Sequence, residues 1–215
     1  DVNPTSVEQF LEESFIPVDR QAKQLHLHID KRYRVTDNLV SDMISTVETE
    51  SPDILLLGAG PRFMTDGEKS MTSFFGLFRK KVDDVLEHVS CPVAIFVNRE
   101  YHDGNELAVL INGNMDHFLF PYVQRLLADG DSFIHLYYFN NGNEGYMGQI
   151  HKWSKQYAHR IHLYPLVDVE DLSLPSTHGL LVLSYGTCVG IAANEEIFRA
   201  LPSLLVIKDM QKDTR

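Results

Sequence analysis

Chemistry on phosphate needs glycine where main-chain N–H groups must approach an anion, and three stretches of this chain offer it. Ser51 to Gly60, SPDILLLGAG, runs an apolar segment into Gly58 and Gly60. Asn112-Gly113-Asn114 follows a second apolar segment, and Gly186-Thr187-Cys188-Val189-Gly190 follows a third. Each has a plainer reading as a buried strand that turns sharply. Pro61, directly after Gly60, takes away a donor that a cradle would use. Phe78-Arg79-Lys80-Lys81 would attract an anion by charge, or it is the solvated basic start of a helix. Cations there oppose the helix dipole. Glu195 and Glu196 open the last helix, which suits that dipole and repels a polyphosphate.

Other chemistry-bearing residues are thinner. Of the 10 histidines, His26 and His28 stand two apart on a predicted strand, a spacing that can share a metal, yet no cysteine or carboxylate cluster joins them. His135 and His162 fall on strands, where a titrating imidazole would suit proton sensing. Cys91 reads as a packed structural thiol. Cys188, between glycines, is expected to be exposed. No Ser/His/Asp order, paired-carboxylate motif or P-loop is present, so neither catalysis nor a metal site is expected.

The charge balance bounds the partners. A net charge of −11 over 215 residues disfavours nucleic acid and anionic lipid. Two cysteines fit a reducing compartment. No run approaches the roughly 20 apolar residues of a membrane helix, and DVNPTSVEQF lacks the form of a signal peptide. Asp1 in place of Met leads to the expectation that the chain is a processed or excised part of a longer one.

The elements that would position these residues alternate. Val7 to Lys23 predicts a helix, with Pro17 disturbing its second half, and Gln24 to Ile29 (QLHLHI) predicts a strand. Val40, Met43, Ile44 and Val47 share a helical face, then Asp53 to Gly58 is an apolar strand. Val82 to Val89 is a helix and Pro92 to Val97 a strand. Polar Asn98 to Asn105 marks a boundary between predicted units at 1–100 and 105–215. The second half gives strands at Leu107–Asn112, Ser132–Phe139, Arg160–Tyr164, Gly179–Ser184 and Ser203–Lys208. Its helices are Met115–Leu127, Tyr146–Tyr157 and Asn194–Leu201, and VDVEDLSL makes at most a helical turn. Such alternation predicts an α/β fold with mainly parallel sheets and helices on both faces. The halves also echo each other. Laying Val85 on Ile197 places Val89 on Leu201, Val93 on Leu205 and Ile95 on Ile207, the signature of an internal duplication.

SPDILLLGAG, a helix, and then HVSCPVAIFV resemble the closing strand–loop–helix–strand of the universal stress protein fold. LAVLINGNMD resembles that family's opening strand, which ends Asp-Gly-Ser. The resemblance implies two Rossmann-like units, the first truncated at its N-terminus and lacking its opening strand. The strands at LHLHI and DILLL then either pair directly or have their gap filled by upstream sequence or another subunit. A tandem pair with an incomplete first copy is similar to the cytosolic C-terminal region of bacterial sodium/proton antiporters. That likeness implies a non-enzymatic regulatory domain at the cytoplasmic face of the inner membrane, attached to a transmembrane antiporter domain of the same polypeptide. The alternative is a free-standing tandem universal stress protein that binds an adenine nucleotide.

Nucleotide-binding members of the family use an Asp after the first strand, a Gly-x-x-Gly turn after the fourth, and a Gly-Ser or Gly-Thr at the next helix. Here Asn112, Gly113, Asn114, Gly186 and Gly190 stand in a degenerate version of that site. The second glycine turn is one residue too long and no Gly-Ser follows, so no cofactor is expected. Arg62 to Phe78, with Phe63, Phe74, Phe75, Leu77 and Phe78, is expected to serve a homodimer interface.

Overall fold

The computed structural model describes residues 15–32, 34–59, 83–99, 101, 106–129, 132–139, 144–175 and 179–209. The insert Arg62–Phe78, the basic stretch Phe78–Lys81, and Gly60-Pro61 lie outside them. The chain forms two compact units, Asp1–Asn38 and Leu39–Arg215.

In the first unit, residues 15–24 form helix α1. It ends where the Leu27 N–H donates to the Ala22 carbonyl at 2.8 Å and the Leu25 N–H to the Gln21 carbonyl at 2.9 Å. His26 takes a left-handed φ of 55° between them, the geometry of a Schellman stop. The strand expected at Gln24–Ile29 is therefore absent: a helix end and an irregular segment replace it, with Leu25 and Leu27 exposed. Six residues of alternation are too few to separate a strand from a chain leaving a helix. His26 and His28 share no strand face.

The second unit holds α2 (Leu39–Glu50), β1 (Leu55–Ala59), helix α3 over 83–88, β2 (Val93–Val97), β3 (Glu106–Ile111), a 3₁₀ helix (Gly113–Leu119), α4 (Phe120–Asp129) and β4 (Phe133–Phe139). It continues with α5 (Glu144–Gln156), β5 (Ile161–Leu166), a 3₁₀ turn (Val169–Asp171), β6 (Leu180–Ser184), α6 (Tyr185–Ala192), α7 (Glu195–Ala200) and β7 (Ser203–Lys208). Among the described residues its seven strands make one sheet in the order β1-β2-β7-β6-β3-β4-β5. Every neighbouring pair is parallel except β2 with β7. Continuous apolar runs such as LAVLI suit strands covered on both faces. On one face Val123 and Leu127 of α4, with Tyr146, Ile150 and Trp153 of α5, pack on Val109, Ile111, Leu136 and Val182. On the other, Val47 of α2, Val85 and Leu86 of α3, Ile191 of α6 and Phe198 of α7 pack with Ile95, Leu110, Leu183 and Val206.

The antiparallel seam joins strands from both expected units. Val93 pairs with Lys208, Ile95 with Val206 and Val97 with Leu204, the arrangement that a two-fold relation through the Ile95·Val206 pair produces. It corrects the strand equivalences of the duplication by one residue. Val93, Ile95 and Val97 face the same layer as Leu204 and Val206, whereas Leu205 and Ile207 face the opposite layer. A one-residue slip moves a strand's side chains to the other face, so Val93 corresponds to Leu204 and Ile95 to Val206. The helix equivalences keep their burial: Val85 with Ile197 and Val89 with Leu201 all contribute to the same layer. On the expected duplication, the helix-to-strand connection would be one residue shorter in the second half.

Arg99 fastens the seam. Its backbone N–H donates to Ser203 Oγ at 2.9 Å, and Nη1 donates to the carbonyls of Phe198 at 2.6 Å and Leu201 at 2.9 Å. The guanidinium lies 4.5 Å from the centre of the Phe198 ring. A cation at a helix C-terminus complements the dipole. Burial lowers the Arg99 pKa from its ordinary value. Across the same seam Tyr185 Oη donates to Asp83 Oδ1 at 2.6 Å.

Candidate functional site

In an open parallel sheet, ligands bind beyond the C-terminal ends of the strands where the strand order reverses. The chain runs outward through β3, β4 and β5, then returns to β6 on the other side of β3, so that point lies between β3 and β6. Asn112 leaves β3 there, and Gly113 adopts a φ of 73°, which glycine tolerates without strain. The chain enters a 3₁₀ helix, and Asp116 in its first turn folds back over the strand end. Asp116 is only 2% exposed. Its Oδ2 accepts the Asn112 N–H at 2.7 Å and the Thr187 hydroxyl at 2.9 Å.

Ser184, Tyr185, Gly186 and Thr187 complete the site. Ser184 caps α6, its Oγ accepting the Thr187 N–H at 3.1 Å. Ser184 and Thr187 are buried. Beneath them the buried Tyr146 hydroxyl donates to the Ile111 carbonyl at 3.3 Å. Burial holds that phenol well above its ordinary pKa, so it stays neutral. An open helix N-terminus would favour an external anion. Here the chain places its own carboxylate and serine oxygen against the first turn of α6. Two like unit charges about 4 Å apart repel by about 4 kcal/mol near a protein surface, so Asp116 opposes a phosphate in this position.

The degenerate nucleotide residues sit as follows. Asn112 and Gly113 lie at the end of β3, and Asn114 belongs to the 3₁₀ helix. Gly186 and Gly190 do not form the expected turn; both lie inside α6. A side chain added at Gly190 would meet nothing within 4 Å among the described residues, and at Gly186 would meet Ser184 Oγ at 4.0 Å. Neither glycine is demanded by close approach. Cys188, expected to be exposed, is 1% exposed on the inward side of α6, and burial pushes its thiol up to about 12. Asp116 and Thr187 were invisible as a site because they are 71 residues apart. No group of three His, Cys, Asp or Glu residues among the described residues is arranged to hold a metal.

No protein-family model matches the chain, and no curated protein matches it. Solved structures do. A universal stress protein from Archaeoglobus fulgidus DSM 4304 superposes with a TM-score of 0.53 at 12% identity, over 97% of this chain and 81% of that one. The fold is universal-stress-protein-like. The cytoplasmic domain of a prokaryotic cation chloride cotransporter superposes with a TM-score of 0.60 at 14% identity, over 91% of this chain and 79% of that domain. The universal-stress-like arrangement thus also occurs in a transporter's cytoplasmic region. No described helix of this chain is long and apolar enough to cross a membrane.

Proposed function

We propose that this chain is a non-catalytic regulatory domain of a membrane sodium/proton antiporter. It would lie at the cytoplasmic face of the inner membrane and act by binding the transmembrane antiporter domain of its own polypeptide, as a homodimer. The observation that carries the reading is the 91% coverage of this chain by the fold of a cotransporter's cytoplasmic domain. The self-satisfied Asp116 site adds to it, because such a domain needs neither a catalytic group nor a bound nucleotide. Sodium/proton exchange, rather than transport of another ion, rests on the sequence resemblance.

Two experiments test the reading. The parent coding sequence should encode a multi-helix membrane domain; its absence refutes attachment to a transporter. Reconstituted full-length protein should exchange sodium for protons, and deleting this domain should change the pH or ion dependence of that flux. The alternative, a free-standing tandem stress protein that binds an adenine nucleotide, predicts heat on titrating ATP into the chain. A flat calorimetric trace at millimolar ATP removes it.

A further inference from the structure

We propose that His135 and the side chains stacked around it form a proton-sensitive latch between β4 and β5. The pairing register sets Ala108, His135 and His162 side by side on β3, β4 and β5, with Leu110, Tyr137 and Tyr164 in the next row. The His135 and His162 rings stack at 5.4 Å, and the Tyr137 and Tyr164 rings at 4.8 Å. His135 also stacks on Tyr164 at 5.7 Å, and its Nδ1 lies 3.2 Å from the Tyr164 hydroxyl. On its other edge, Nε2 faces Glu106 Oε2 at 4.0 Å. The His135 side chain is 13% exposed. His162 and Tyr164 are exposed on the same sheet face, giving protons access. The described part of the β5–β6 connection contributes only a three-residue 3₁₀ turn and the packing of Val169, Leu172 and Leu174.

The hydrogen-bond directions define the two states. With the proton on Nε2, the neutral ring offers N–H toward Glu106 and accepts the Tyr164 O–H at Nδ1. A second proton on Nδ1 ends that acceptance, forces the Tyr164 hydroxyl to turn, and sets a cation against the His162 ring. Among the described residues, the titratable groups facing His135 include Glu106 of β3 and His162 and Tyr164 of β5, with Tyr137 stacked on Tyr164 in the next row. Burial depresses the His135 pKa, Glu106 opposes that, and His162 adds to it. A histidine depressed in the folded state stabilises above its unfolded pKa of about 6.5 and loses that contribution as the pH falls. Acidification from pH 7.5 to 5.5 therefore loosens the β4–β5 edge.

The proposal stands apart from the transporter reading, since each measurement uses the 215-residue chain alone. An NMR titration of the histidine C2 protons, with His135 assigned by its loss in His135→Gln, should give His135 a midpoint below about 6.5. Glu106→Gln should lower that midpoint further. Tyr164→Phe, which deletes the donor to the neutral ring and keeps the stack, should raise it. The urea midpoint of the native chain should fall between pH 7.5 and 5.5, and His135→Gln should reduce the fall. A His135 midpoint at or above 6.5, or unmoved midpoints in both Glu106→Gln and Tyr164→Phe, overturns the latch. So does an equal acid-induced fall in His135→Gln; should that variant fail to fold, His135 is assigned through its backbone correlations in isotope-labelled native chain, and the other two variants decide.

Discussion

Asp116→Ala tests the closed site most directly. The carboxylate accepts two bonds, at 2.7 Å from the Asn112 N–H and 2.9 Å from the Thr187 hydroxyl, and is 2% exposed. Alanine leaves both donors, one buried and one part-buried, without their acceptor, at about 1–3 kcal/mol each, so the loss is about 2–6 kcal/mol. Asparagine keeps the shape and one oxygen but not the charge that strengthens both bonds, and should cost about 1–2 kcal/mol. Trp153, the only tryptophan, is 2% exposed inside the second unit, so its fluorescence reports unfolding. With a urea slope of about 2 kcal/mol per molar, the midpoint should fall by about 1–3 M in Asp116→Ala and by about 0.5–1 M in Asp116→Asn. A midpoint within about 0.2 M of the native chain in Asp116→Ala would show that the carboxylate does not hold this site together. ATP bound by the native chain at micromolar concentration would refute the closure itself.

Gly190→Ala should stabilise the chain by about 1 kcal/mol, because the position is an exposed helix interior with open space around it; a loss of stability in urea would return the glycine to a functional role. A thiol reagent should label neither Cys91 nor Cys188 in the folded chain and both in urea, since both are buried and burial pushes the Cys188 thiol up to about 12. Rapid native labelling would contradict the inward placement of Cys188. In alkali the sign follows from Tyr137, which burial, and then Tyr164, raise to about 12. Its contribution is full below the unfolded value of about 10 and is lost as the pH rises through 12, so Tyr137→Phe should flatten the fall in urea midpoint above pH 10.

Strand identity was legible wherever burial on both faces left one reading. PVAIFV, LAVLIN, SFIHLYYF and SLLVIK all form strands, and their shared sheet follows from the alternation with helices. QLHLHI failed because Leu25 and Leu27 remain exposed after a left-handed helix end, where period two carries no burial. GTCVG read as a turn because glycine marks turns, yet Ser184 caps a helix there and Thr187, Cys188 and Ile191 bury its inner side. The strand register of the expected duplication was not legible, since a match of apolar residues ignores which face each one takes. Asp116 was hidden for a different reason: its role exists only once β3 and β6 are neighbours.

The β2–β7 seam brings a dynamic consequence. Both strands belong to one polypeptide, so their meeting is governed by tether length rather than by dilution. A single backbone cut between Arg99 and Glu106 would leave every paired residue in place, yet would turn the joint into a bimolecular complementation. The severed pieces would then separate as the protein is diluted, while the intact chain holds its halves together at any concentration.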